Sequence, residues 1–235
     1  MKRLMLGLFL FALCSVVLGQ SRHVKNDTTF LFREINKKEH YYHAIYIERN
    51  KESASYKRLL DFQFDKDENK AYKREYEGLK QNHPEPLKKV KLSGLPKEWM
   101  PIYLYKGKYY IYSPSEWADV DRRIISDSTL LYSNFEISIE PFIAFKKTEK
   151  YTYLLKTRSY YPKPHTSQIT IHIIDPKNKI AVWCNPSLPV KDRYGLYVVR
   201  DCAKNFDMVD NYFSEGKMPE FMFDKINYAK LLKGK

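Results

Sequence analysis

The sequence predicts a mainly β protein, either an antiparallel β-barrel or a curved β-sandwich, with a charged helical excursion and a C-terminal helix. Tyrosine is the compositional outlier, at 20 of 235 residues, and tyrosine favours the pleated, half-buried surface of a sheet. Strand-like runs follow one another at a spacing of about ten residues, which is typical of antiparallel meanders. No flexible linker or internal repeat divides the chain, so we expect a single mainly-β domain over residues 39–235.

The first 19 residues have the pattern of a secretory signal peptide. Lys2 and Arg3 give a basic start, and the apolar run after them is too short to cross a bilayer comfortably. Val17 and Gly19 place small side chains where signal peptidase requires them, so we expect the mature chain to begin at Gln20. The sequence therefore predicts export, to the periplasm or as a secreted protein, with residues 20–38 as a polar lead-in.

The cysteines are interpreted through this expected export. Cys14 lies within the signal, and Leu13 stands where a lipoprotein signal requires a small residue, so lipid attachment is the weaker alternative. Cys184 and Cys202 remain in the mature chain, in a compartment where disulfides persist. We therefore expect a disulfide between them, with two separate buried thiols as the alternative.

The formal net charge of +13 is spread along the chain. This distribution suits a soluble surface that adheres weakly to anionic polymers, lipids or cell-wall material, whereas nucleic-acid-binding domains cluster Lys and Arg on one element. We therefore expect no nucleic-acid partner. The sequence also predicts no transmembrane span in the mature chain and a place in the bacterial envelope or outside the cell.

The first part of the domain is predicted to hold a hairpin and a helix. Residues Tyr41–Glu48 have the aromatic and β-branched content of a strand, and residues 56–65 alternate as a second strand would. Residues 66–81 carry dense alternating charge and good helix formers, which favours a solvated helix or a long excursion. Two prolines in residues 82–86 are expected to end it.

The stretch "PIYLYKGKYYIYSPSEW", residues 101–117, predicts a hairpin that turns at Lys106 and Gly107. In that register Leu104 faces Tyr109. The outer face then carries tyrosine rings that can either bind a flat ligand or pack across the strands, each packed pair contributing about 0.2–1 kcal/mol. The candidate binding residues are Tyr103, Tyr105, Tyr110 and Tyr112, with Trp99 and Trp117 at the margin.

A second hairpin is predicted around the turn "DPKN", residues 175–178, after strand-like runs at 129–132, 135–139, 142–145 and 151–157. If this loop sets the register, the buried side consists of Ile169, Ile171, Ile173, Ile180, Val182 and Cys184. Residues 218–232 predict a closing helix, with Met222, Ile226 and Ala229 on one stripe.

No common catalytic motif occurs in the sequence: there is no G-x-S-x-G, H-E-x-x-H, P-loop or dinucleotide fingerprint. His40 and His43 point to opposite faces if they lie on a strand, which disfavours a metal site. The acidic residues Glu116, Asp119 and Asp121 match no calcium loop and are interpreted as charges facing water. We therefore expect no metal and no cofactor.

Non-catalytic binding of a sugar, lipid or peptide is the function that the sequence favours. Barrels of this class, lipocalin-like ones among them, enclose or cradle a ligand. One alternative is a hydrolase of envelope polysaccharide or peptide, which requires a cleft holding two acids with opposed pKa shifts. The other is an assembly or adhesion module that binds another envelope protein through a flat apolar surface.

Overall fold

The computed structural model describes residues 28–36, 38, 41–83, 85–116, 120–134, 136–160, 163–214 and 219–233. The expected signal peptide, its cleavage site and Cys14 lie outside the described residues. His40, Trp117 and Asp119 also lie outside them.

Thirteen strands and four helices are described. The strands are β1 (Thr28–Asn36), β2 (Tyr41–Glu48), β3 (Glu98–Pro101), β4 (Tyr103–Tyr105), β5 (Lys108–Ser113), β6 (Arg122–Ile125), β7 (Thr129–Ser133), β8 (Ile137–Glu149), β9 (Thr152–Ser159), β10 (His165–Asp175), β11 (Ile180–Cys184), β12 (Tyr194–Val199) and β13 (Asp207–Phe213). The helices are α1 (Ala54–Leu59), α2 (Lys66–Asn82), α3 (Arg200–Ala203) and α4 (Tyr228–Lys233).

Eight of the strands close into an antiparallel barrel, in the order β10-β11-β12-β3-β6-β7-β8-β9. The strands from β6 to β12 follow one another as neighbours, which is the meander that their sequence spacing predicted. Alternate residues of each strand point inward, and the apolar ones form a core that includes Trp99, Leu130, Leu155, Ile171 and Trp183. The predicted mainly β barrel is therefore confirmed.

The other five strands form a sheet in the order β1-β2-β13-β5-β4, in which β13 runs parallel to β5. One face of this sheet packs on the outside of the barrel, where Ile111 and Met208 meet Met100, Val182 and Val198. A second buried cluster lies on the opposite face. Residues 28–36, expected to belong to a polar lead-in, form the edge strand β1 and pair with β2.

The β4–β5 hairpin has the predicted register, with Leu104 opposite Tyr109, Tyr103 opposite Tyr110 and Tyr105 opposite Lys108. Its turn residues Lys106 and Gly107 both have positive φ, at 48° and 75°. Two positive φ angles are what a two-residue type I′ turn requires, and that turn matches the twist of the strands it joins.

The β10–β11 hairpin is present, but the predicted buried side was wrong for β11. A bulge between Ile173 and Asp175 shifts the register, so that Ile173 pairs with Ala181 and Ile171 with Trp183. A shift of one residue exchanges the faces of a strand. Ile180 and Val182 therefore pack toward the five-stranded sheet, away from Ile173.

Two further segments differ from their predicted structure. The predicted strand at 56–65 begins instead as α1, because the Ser53 hydroxyl caps the helix by accepting a hydrogen bond from the Tyr56 amide at 3.2 Å. The C-terminal helix is confirmed but starts ten residues later than residue 218, at Tyr228. The predicted charged helix is α2, and Asp65 and Glu68 form a capping box at its start.

The structure does not show the expected disulfide, because Cys184 and Cys202 are both free. Cys184 ends β11 opposite Tyr194, whereas Cys202 lies in α3, after the other end of β12. The four residue steps from Cys184 back to Ile180, which pairs with Val198, span about 13 Å of strand. That separation exceeds the reach of a disulfide, whose Cα atoms lie within about 7 Å of each other.

Candidate functional site

The candidate site lies on the face of the five-stranded sheet that points away from the barrel. The predicted tyrosines of β4 and β5 lie on this face, and they contact residues 219–224, which we call the C-terminal segment. Tyr103 stacks on Phe223 with ring centroids 4.5 Å apart, and Tyr105 meets the edge of Phe221 at 5.0 Å. The tyrosine rings therefore hold a part of their own chain.

The C-terminal segment is extended and is fixed by its backbone. The Asp224 amide donates a 2.8 Å hydrogen bond to the Leu104 carbonyl on the edge strand β4. The Phe221 amide donates to the Tyr112 hydroxyl at 3.0 Å. Phe221 and Phe223 point to the sheet and Met222, 88% exposed, points to solvent, which is the alternation of an extended chain.

Between the segment, the sheet and the barrel lies a cavity of about 180 Å³, which we call the tyrosine pocket. Its walls are mostly aromatic or apolar, and its carboxylate is that of Glu220. The lining residues are Met100, Pro101, Tyr103, Tyr112, Pro114, Val120, Glu220, Phe221 and Phe223.

Tyr112 organises the polar side of the pocket. Its hydroxyl accepts hydrogen bonds from the Asn211 amide side chain at 3.1 Å and from the Phe221 backbone, and it donates to Glu220 Oε2. The other oxygen of Glu220 accepts from the Ser115 hydroxyl at 3.3 Å. Burial, supported by the hydrogen bond to Glu220, raises the pKa of Tyr112 well above its ordinary value, so the hydroxyl keeps its proton at neutral pH.

His43 continues this network into the sheet. Its Nε2 lies 2.9 Å from Asn211 Oδ1, and its ring packs against Phe32 and Phe213. Its Nδ1 is buried and has no hydrogen-bond partner among the described residues. Within the described ranges no group of three or more His, Cys, Asp or Glu side chains is placed to hold a metal ion.

The other predicted binding residues have different positions. Tyr105 and Tyr110 contact each other beside the pocket but do not line it. Trp99, predicted at the margin, is fully buried in the barrel, where its indole N–H donates to the Pro96 carbonyl at 2.8 Å and its ring meets Trp183 edge-on. Trp117 lies outside the described residues.

The predicted acidic group is only partly described. Asp119 falls outside the described residues, and Glu116 is not among the residues that line the tyrosine pocket. Asp121 was expected to face water, but its side chain lies within the barrel, 28% exposed, paired with Arg123. The sequence analysis also missed Glu220, Phe221 and Phe223, although the alternation of "FMF" is a strand-like signal.

None of the helices in the described part of the chain is long and apolar enough to cross a membrane. The chain matches no protein-family model, and no curated protein and no solved structure resembles it significantly.

Proposed function

We propose that this chain is an exported, non-catalytic binding protein of the bacterial envelope or exterior that holds a small ligand in the tyrosine pocket. The observation that carries the proposal is the pocket itself, with rings of Tyr103, Tyr112 and Phe223 around a cavity that contains one carboxylate, that of Glu220. Apolar and aromatic walls with a few fixed polar groups are the usual composition of a small-molecule site.

A sugar ring fits these features better than a lipid chain or a peptide. A dry cavity of about 150 Å³ accommodates benzene, so the tyrosine pocket, at about 180 Å³, has room for one six-membered ring. Aromatic walls cover the apolar face of a sugar, and a carboxylate such as Glu220 accepts hydrogen bonds from its hydroxyls. An acyl chain would use the walls but not the carboxylate.

The charge of the chain supports a place near envelope polymers. Its formal net charge of +13 favours weak association with anionic glycans and lipids. Such association would raise the local concentration of the glycan ends that the pocket is proposed to bind. The pocket supplies the specific contact, and the basic surface supplies the attraction at longer range.

Binding without hydrolysis is favoured by the number of acids in the pocket. Glycoside hydrolysis commonly uses two carboxyl groups on either side of the scissile bond. Of the described residues that line the pocket, Glu220 alone carries a carboxylate, and the Tyr112 and Ser115 hydroxyls hold it in place while leaving acceptor capacity on both oxygens. This arrangement fits a fixed hydrogen-bond acceptor.

The proposal is tested by titrating the mature chain from Gln20 with glucose, N-acetylglucosamine and octanoate, followed by two-dimensional NMR. We expect saturable shifts of pocket resonances with at least one sugar and a loss of binding in Tyr103→Ala. The matched control is Tyr212→Ala, because Tyr212 is an exposed tyrosine on β13 that does not line the pocket.

Three results would contradict the proposal. These are no saturable shift with either sugar, saturable binding of octanoate alone, and equal weakening by the two substitutions. Native mass spectrometry of protein purified from its own envelope adds an independent measurement. A sugar-containing ligand that leaves on mild denaturation supports the proposal, and retention of a lipid would replace it.

A further inference from the structure

The barrel interior has an apolar half and a polar half. The apolar half is closed by inward-pointing side chains of β6 to β10, among them Ile125, Leu130, Phe142, Leu155, Ile171 and Ile173. Toward the other end of the barrel the same inward rows become polar. Their members are Asp121, Arg123, Tyr132, Glu140, Thr157, Ser167 and Tyr197, and we call this set the polar end.

The alternation of the strands places these residues together. Arg123 is two positions before Ile125 on β6 and pairs with Tyr132 on β7. Glu140 pairs with Leu130, which belongs to the inward core. Residues two apart on a strand share a face, so the polar side chains line the interior and extend the core toward the opening.

Arg123 is the centre of the polar end. Its guanidinium donates to Asp121 Oδ2 at 3.1 Å and lies over the ring of Tyr197, 4.0 Å from the centroid, and near that of Trp183, at 4.8 Å. The Tyr197 hydroxyl donates to the same carboxylate oxygen. Arg123 is thus held in one orientation by an ion pair and two aromatic rings.

Several polar atoms of this end are buried but make no hydrogen bond within the described part of the chain. The donors are Arg123 Nε, Trp183 Nε1 and Arg193 Nε, and the acceptor is Asp121 Oδ1. Trp183 is only 1% exposed. Buried polar groups are nearly always paired in native proteins, with protein or with ordered water, so these atoms indicate a partner, a water or a ligand, that the described residues do not supply.

The strand order brings the donors to one side of the opening. Trp183 on β11 pairs with Gly195 on β12. Arg193 stands two positions before Gly195, and its carbonyl accepts from the Asn185 amide at 2.8 Å, which continues the same ladder. A Cβ on Gly195 would lie 2.5 Å from the Tyr197 ring, so the glycine allows Tyr197 to keep its position.

Solvent reaches the polar end, because the side chains of Arg123 and Asp121 are 15% and 28% exposed. Its unused hydrogen-bond donors, two of them on arginines, favour an anion. Arg123 and Arg193 are cationic, Asp121 is the carboxylate paired with Arg123, and Arg193 forms no ion pair with any described residue. The polar end also contains the carboxyl group of Glu140, which accepts a hydrogen bond from the Thr157 hydroxyl and whose pKa is raised by burial.

We infer that the polar end of the barrel is a second binding site, separate from the tyrosine pocket, for a small carboxylate that also carries a hydroxyl or ammonium group. Three unused donors, on Arg123, Trp183 and Arg193, suit the two oxygens of a carboxylate. The unused acceptor, Asp121 Oδ1, suits a donor on the neighbouring carbon of the ligand. The matching ligand class is the α-hydroxy and α-amino acids.

The test uses three probes of similar size on the mature full-length chain. Lactate has both the carboxylate and the hydroxyl, propionate lacks the hydroxyl, and lactamide lacks the charge. Binding is measured by calorimetry and by the indole N–H resonance of Trp183, identified with the Trp183→Phe variant. We expect saturable binding of lactate with a shift of that resonance, weaker binding of propionate and no binding of lactamide.

Substitutions separate the site from general charge effects. Arg193→Gln is expected to weaken lactate binding by about tenfold or more, since it removes a charge-assisted hydrogen bond. Arg158→Gln is the matched control. Arg158 on β9 pairs with Thr166 on β10 and donates a hydrogen bond to the Thr166 hydroxyl, and neither residue belongs to the inward-pointing rows. Arg123→Gln is expected to abolish binding. If the Arg123→Gln variant does not fold, Arg193→Gln alone provides the test.

The inference is overturned if lactamide binds as well as lactate, or if none of the probes, including alanine as the amino-acid probe, moves the Trp183 resonance. Equal losses in Arg193→Gln and Arg158→Gln would also overturn it. None of these outcomes decides the sugar titration of the tyrosine pocket, which uses other ligands and another substitution, Tyr103→Ala, and whose lining includes none of the residues of the polar end.

Discussion

Phe223 stacks on Tyr103 with ring planes 24° apart, and this contact joins the C-terminal segment to the edge hairpin of the five-stranded sheet. The two residues are far apart in the sequence, and Tyr103 also meets Tyr112 edge-on. The Phe223 ring thus links the C-terminal segment to the most tyrosine-rich stretch of the chain, beside the Tyr105–Phe221 contact. The stability of the segment is therefore expected to depend on Phe223.

Phe223→Ala is predicted to lower the free energy of unfolding by about 1–2 kcal/mol, less than the loss for a fully buried phenylalanine because Phe223 is only partly buried. Urea unfolding followed by circular dichroism measures the change. Met222→Ala is the control and is expected to leave stability nearly unchanged, since Met222 is exposed. Equal losses from both substitutions would show that the segment does not pack as an extended strand.

The sequence predicted the hairpin at Lys106 and Gly107 well because its register depends on two turn residues and an alternating pattern, both of which are local. The β10–β11 register was not predictable in the same way. Both faces of β11 are buried, so the hydrophobic pattern of that strand does not penalise an exchange of faces. The bulge before Asp175 then determines which residues meet which core.

The tyrosine pocket was only half predictable. Tyr103 and Tyr112 were identified from a local cluster, but Glu220, Phe221 and Phe223 reach them from more than a hundred residues later in the chain. The polar end of the barrel is likewise built from residues that are far apart in the sequence. Asp121 and Arg123 have ordinary surface-like neighbours in sequence, and only closure of the barrel brings Tyr197 and Trp183 beside them.

Two glycines are predicted to respond to alanine with opposite signs. Gly107 has a φ of 75°, which L-residues rarely adopt, so Gly107→Ala is expected to destabilise the fold by about 1 kcal/mol. Gly78 lies inside α2 with open space around its Cα, so Gly78→Ala is expected to stabilise by about 0.5–1 kcal/mol.

Chemical denaturation of both variants beside the parent chain checks this pair. Both substitutions add the same methyl group. A difference in the sign of the change in the free energy of unfolding therefore reports the backbone conformation at each glycine. A loss of stability in Gly78→Ala would contradict the helical geometry of α2. A gain in Gly107→Ala would contradict the type I′ turn.

The chain from Gln20 onward is predicted to contain two free thiols. Cys184 and Cys202 lie beyond opposite ends of the β11–β12 ladder, so no disulfide joins them without unfolding of that part of the barrel. Thiol titration in denaturant without reductant should count both groups, and a reducing agent should leave the melting temperature unchanged. A count of zero thiols together with monomeric mass would instead support the disulfide expected from export.

Glu140 is predicted to weaken the fold at neutral pH and to do so less in acid. Its side chain is half-buried in the barrel, where it accepts a 2.6 Å hydrogen bond from the Thr157 hydroxyl, and burial raises its pKa above the ordinary value of 4.5. A carboxyl with a raised pKa binds its proton more tightly in the folded chain than in the unfolded chain. Ionisation therefore opposes folding increasingly as the pH rises above 4.5, and the loss of stability is complete once the pH exceeds the raised pKa.

Glu140→Gln removes this ionisation and retains a side-chain oxygen for Thr157. The variant is expected to be more stable than the parent at pH 7, and the difference should shrink as the pH falls toward 4.5 and below, where Glu140 is protonated in both states. Melting temperatures measured from pH 4 to pH 8 give the comparison, with Glu136→Gln, an exposed acid just before β8, as the control. A stability gain that persists unchanged at low pH would show that ionisation of Glu140 is not its cause, because a neutral amide and a protonated carboxyl differ little in the cost of burial.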